Sequence, residues 1–158
     1  MVLTKVELLA ALKQEIHILL HLAGKVDPAQ QDYRPTPKQR STLELLQYMA
    51  IMGPTQIALI KADGFNRAAL GAAWSPAEKA AKAMTFDQAV AAIRARADGY
   101  ARELDGWSES DFRSEIDMFG RKASRGATIV SLVLSGHAAY RTQLFLYRNR
   151  AAATSSGR

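Results

Sequence analysis

The sequence predicts an all-α protein, a four-helix bundle in one domain, and three observations carry that prediction. Four long segments repeat apolar residues at helical spacing. Three of them open on a Ser or Thr followed three residues later by Glu or Gln, the reciprocal capping pattern that satisfies the free amides of a helix start. No stretch alternates apolar and polar residues convincingly enough for a half-buried strand. A chain of 158 residues suits one domain with a real core, because a domain of this size buries roughly 70% of its unfolded surface.

The first predicted helix opens on Thr4 and Glu7 and runs to about Gly24, with Leu9, Leu12, Ile16, Leu19, Leu20 and Ala23 as its stripe. Ile18 and Leu22 widen the apolar arc beyond what a surface helix needs. His17 and His21 are spaced i, i+4, as two metal ligands could be, but they fall on the side of Lys13, Gln14 and Lys25 and read as exposed histidines. Residues 26–40 hold Pro28, Pro35 and Pro37 without a helical period. They predict an ordered loop across the bundle end, anchored by Tyr33 and Arg34. Ser41 and Glu44 open the second helix, in which Gly53-Pro54 predicts a kink or a break before a further segment closed by Gly64.

From Phe65 to Met84 the pattern weakens. Ser75-Pro76-Ala77-Glu78 predicts only a capped short helix within a long connection. Thr85 and Gln88 open the third helix, with Phe86, Ala89, Val90, Ile93, Ala97, Tyr100 and Leu104 at helical spacing. Residues 108–125 carry mixed signals, a turn of helix or a small hairpin around Phe119-Gly120. The fourth helix, Gly126 to Arg150, gathers Ile129, Leu132, Val133, Gly136, Tyr140, Leu144 and Tyr147 on one face, with Ser131, Ser135, Thr142 and Asn149 opposite. The bundle domain is expected over residues 1–150, with 151–158 as a flexible tail. The long connection between the second and third helices crosses the bundle end, which makes an up-down-down-up order available.

Composition bounds the chemistry. The chain has no cysteine, which removes disulfides, thiolate ligands and a cysteine nucleophile, and suits a reducing compartment. The first helix is interrupted by charges and lacks a cleavage site, so it does not read as a signal peptide. No apolar run approaches the ~18 residues of a membrane span. A cytoplasmic protein without a membrane partner is the expectation. The net charge of +6 is spread over every segment, and the basic groups Arg34/Lys38/Arg40, Arg121/Lys122/Arg125 and Arg141/Arg148/Arg150 lack interleaved aromatics. That reads as a solvated basic surface rather than a nucleic-acid footprint.

Two stretches, DYRPTPKQRSTLELLQYM entering the second helix and GHAAYRTQLFLYRNR in the fourth, carry a resemblance to the DinB-like superfamily. These are four-helix bundles named for DNA-damage-inducible proteins and related to bacillithiol and mycothiol transferases. The resemblance implies a three-histidine metal site, one ligand on the second helix and two spaced i, i+4 on the last. This chain departs from it: the second-helix position falls at or beside Tyr48, His137 remains, and the residue four later is Arg141. An arginine stays protonated and repels a dication, so no metal site and no metal cofactor are expected.

A non-metal bundle is the expectation, with Tyr48, His137 and Arg141 forming a polar pocket between the second and fourth helices, suited to a small anion. The bland reading pairs Arg141 with a carboxylate such as Glu44 and makes His137 a satisfied core-edge histidine. The alternative is a metal- or thiol-dependent transferase or hydrolase of the same superfamily. No Ser-His-Asp spacing, phosphate loop or paired-carboxylate motif points to another reaction. A homodimer is also expected, through the apolar breadth of the first helix together with Ile57, Leu59 and Ile60.

Overall fold

The computed structural model describes residues 3–155. In chain order it has α1 (Lys5–Ala23), a 3₁₀ turn (Pro28–Gln30), α2 (Thr42–Lys61), α3 (Arg67–Lys82), α4 (Phe86–Glu103), α5 (Glu109–Arg113), the antiparallel pair β1 (Glu115–Met118) and β2 (Arg121–Ser124), and α6 (Arg125–Ile129). A single π-helical turn, Val130–Leu134, joins α6 to α7 (Ser135–Ser155). The capping boxes at Thr4/Glu7, Ser41/Glu44 and Thr85/Gln88 all form.

Helices α1, α2, α4 and α7 build the bundle, and their contacts fix its order. Lys5 Nζ reaches the Trp107 carbonyl beyond the end of α4, so α1 and α4 run antiparallel. Gln47 donates to the Met84 carbonyl at one end and Lys61 to the Glu103 carbonyl at the other, so α2 and α4 run parallel. Arg141 pairs with Glu15 and Arg148 donates to the Lys25 carbonyl, which sets α7 parallel to α1. The result is the up-down-down-up bundle. Its core holds Leu12, Ile16 and Leu19 of α1, Leu45, Met49 and Ile60 of α2, Ile93 and Tyr100 of α4, and Val133, Leu144 and Tyr147 of the last helix.

Four expectations change. Pro54 does not break the chain; α2 runs unbroken through it, because burial against α3, α4 and α7 outweighs one missing amide. At 20 residues α2 is also long and apolar enough to cross a membrane by length and composition. With 61% of its most apolar 18-residue window buried, it is a core helix of this bundle. The connection after Phe65 is no capped short helix at Ser75 but a 16-residue helix, α3, capped by Asn66 with Pro76 inside it. Finally, α7 continues through Ser155 and buries Ala151, so the expected tail is helical as far as it is described; residues 156–158 lie outside the described residues.

The loop behaves as expected. Tyr33 packs edge-on against Tyr147 at 5.9 Å, its carbonyl accepts from the Thr42 amide, and Arg34 pairs with Glu44 at 3.3 Å. Residues 108–125 supply both alternatives, the helix α5 and a hairpin turning at Phe119-Gly120.

Candidate functional site

Tyr48, His137 and Arg141 point three ways. His137 lies on the first turn of α7 with none of its surface exposed. Its Nε2 is 2.5 Å from Tyr100 Oη of α4. Gly53 of α2 makes that meeting possible, since a Cβ there would lie 1.8 Å from the phenol oxygen. Burial pushes the imidazole pKa down to about 4 and raises that of the phenol. Both groups are therefore neutral at pH 7. With the phenol donating to Nε2, the ring proton sits on Nδ1, a buried atom without a partner among the described residues.

Arg141, one turn further along, faces α1. Its Nε and Nη2 both reach the Glu15 carboxylate, the second at 3.3 Å. Glu44, the partner considered from the sequence, instead serves Arg34 and the Ser41 amide. Those contacts, led by the amide, hold its carboxyl below the usual range.

Of the three, Tyr48 is the one that lines the pocket between the loop, α2 and α3. Its ring stacks on Trp74 of α3 at 5.7 Å and 11°, meets Tyr140 of α7 edge-on at 5.0 Å, and lies under the Arg40 guanidinium, 4.1 Å from the ring centre. Partial burial raises its pKa, so it acts as a neutral phenol.

The pocket beside it, of about 310 Å3, lies between the loop entering α2, α2 itself and the last turns of α3. Lys38, Arg40 and Lys82 stand around it, and Tyr48, Ile51 and Ala81 supply apolar wall. Arg34 and Glu44 in the same lining neutralise each other, and Glu78 is the remaining acid. Lys38, Arg40 and Lys82 make no ion pair among the described residues. The larger cavity of about 570 Å3 between the start of α1 and α6, walled by Leu8, Phe112 and Val130, holds none of the three candidate residues.

The residues do not fit the metal that the resemblance implies. Arg141 is committed to Glu15, Tyr48 to an aromatic stack, and His137 to Tyr100. His17 and His21 are exposed on the outer side of α1. Among the described residues no three His, Asp or Glu side chains cluster to hold an ion.

Sequence reasoning found Tyr48 and grouped Arg40 with Lys38, but missed Trp74, Lys82 and the role of Tyr100. Alanines and Pro76 masked α3, and Tyr100 read as an ordinary stripe residue.

The bundle has the fold of a DinB-like protein, as the comparison with solved structures shows. The crystal structure of YjoA, a DinB-like protein of Bacillus subtilis, superposes with a TM-score of 0.67 at 17% identity, covering 92% of this chain and 91% of that one. No family model and no curated protein matches the sequence.

Proposed function

We propose that this DinB-like bundle works without a metal and binds a small organic anion in the pocket beside Tyr48, at the loop–α2–α3 junction rather than between α2 and α7. The observation that carries the reading is the convergence of Lys38, Arg40 and Lys82, none of them in an ion pair among the described residues, on one pocket with an aromatic wall. Magnitudes decide which kind of anion. An exposed ion pair contributes ~0.2–1 kcal/mol, so three cations alone support binding no tighter than roughly millimolar. An apolar body lying on Tyr48 and Ile51 has to supply the rest, which favours an aromatic or aliphatic carboxylate over a bare inorganic ion.

Calorimetric titration with benzoate and with inorganic phosphate tests this. Benzoate is expected to bind more tightly than phosphate, and Arg40→Ala and Lys82→Ala are each expected to weaken it several-fold, whereas Arg141→Ala leaves it unchanged. Equal affinity in wild type and in both pocket variants sinks the reading. The alternative, a metal- or thiol-dependent transferase or hydrolase, has less support, since His137 is buried against Tyr100 and is not in the lining of this pocket.

A further inference from the structure

The apolar residues that the sequence suggested for a homodimer, Ile57, Leu59 and Ile60, are buried within the subunit. The groups without partners around the pocket beside Tyr48 are polar, and they carry both signs. Six charged side chains line it. Arg34 and Glu44 satisfy each other at 3.3 Å, and Glu44 also accepts from the Ser41 amide at 2.7 Å. Lys38, Arg40 and Lys82 are the cations already assigned to an anion. That leaves Glu78, an exposed carboxylate with no ion pair among the described residues.

A cation is within easy reach of Glu78 along the chain. Lys82 follows it by four positions on α3, glutamate first, the orientation in which a helix closes such a pair most readily. Both residues line the pocket instead, without pairing. Burial and Tyr140 dominate the rise in the Tyr48 pKa, and the Glu78 charge adds to it, so the carboxylate stands within electrostatic reach of the aromatic wall. Gln47, only 6% exposed, is a second acceptor in the lining. Its Nε2 donates to the Met84 carbonyl at 2.8 Å. A carbonyl only accepts, so this bond fixes which way round the amide lies and leaves Oε1 without a donor among the described residues. Gln47 belongs to α2 and Glu78 to α3, whereas Lys38 and Arg40 belong to the loop. The pocket therefore has acceptors along the α2–α3 seam and cations on the loop side, with Lys82 the one cation on the α3 side.

We infer that the ligand is an amino-carboxylate whose two charges stand at opposite ends of a short apolar body. Its carboxylate lies against Lys38 and Arg40, and its ammonium against Glu78 and Gln47 Oε1. This rests on the anion pocket proposed above and adds the requirement for a cation. Size agrees: at ~30 Å3 for a water-sized group, a pocket of about 310 Å3 holds roughly ten such groups, enough for one ring between two charged ends. A simple monocarboxylate sets its apolar end against two acceptors, which loses their hydration without replacing it. A dicarboxylate gains Lys82 for its second charge only by bringing that charge beside Glu78. An ammonium makes charge-assisted bonds to both acceptors.

Three para-substituted benzoates of similar size test it by calorimetric titration of the full chain at pH 7: 4-(aminomethyl)benzoate, 4-ethylbenzoate and terephthalate. The wild-type protein should bind the aminomethyl compound about fivefold more tightly than the ethyl one, and terephthalate no more tightly than the ethyl one. In Glu78→Gln, a change at an exposed position, that preference should disappear while 4-ethylbenzoate binds no worse than to wild type. Lys38→Ala should weaken all three. Equal binding of the aminomethyl and ethyl compounds, tighter binding of terephthalate, or a preference that survives Glu78→Gln overturns the amino-carboxylate and leaves the anion pocket standing. Loss of all binding, benzoate included, overturns the pocket and this inference with it.

Discussion

His137 is held neutral by its surroundings, and that makes acid a specific threat to the fold. Its folded pKa of about 4 lies below the ordinary ~6.5 of the unfolded chain, so the unfolded state binds the extra proton first as pH falls. The stability linked to this group is complete above about pH 6.5 and is lost as pH falls towards 4. The shift sets the scale at on the order of 3 kcal/mol. Urea denaturation at a series of pH values should show a decline across that window, and His137→Phe should flatten it. A second prediction concerns the other side of the pair. Gly53→Ala forces a methyl into the Tyr100 hydroxyl and should cost about 1–3 kcal/mol, part of which Tyr100→Phe should restore in the double variant. Thermal denaturation of the four proteins in that cycle measures the coupling.

Among the elements, α3 stands apart because it packs mainly through small side chains. Ala81 is its one buried residue, and Trp74, stacked on Tyr48, is its largest anchor. Removing that anchor with Trp74→Ala should let α3 open on its own. Hydrogen exchange is then expected to quicken across residues 67–82 while α1 and α4 keep their protection, and benzoate affinity should fall with it. The same feature explains what was legible in the sequence. Capping boxes are local, a hydroxyl and a carboxylate three residues apart, and all three that open the long bundle helices were readable. The inner face of α3 is Ala69, Leu70, Ala73, Trp74 and Ala77, too weak a hydrophobic signal to outweigh Gly71 and Pro76, although the high helix propensity of alanine pointed the right way. The sequence groups Tyr48 with His137 and Arg141 rather than with Arg40, although Arg40 lies only eight positions earlier and its guanidinium covers the Tyr48 ring. The partner of Arg141 could not be read, since Glu15 lies 126 positions earlier and nothing local distinguishes it from Glu44.

At the scale of the whole molecule, the Glu15–Arg141 pair ties the first helix to the last. The carboxylate is 15% exposed and the guanidinium 30%, so this pair is worth more than an exposed one and less than a fully buried one. Arg141→Ala should cost about 1–3 kcal/mol, chiefly by leaving Glu15 shielded and unpaired, which chemical denaturation would measure. Because α7 closes the wall between α1 and α2, the bundle is a three-sided trough until it arrives. On the ribosome, Leu12, Met49 and Ile93 stay open to water until residues 129–147 have been synthesised and have left the exit tunnel. Until that last helix is made, then, the apolar inner faces of α1, α2 and α4 lack the element that covers them.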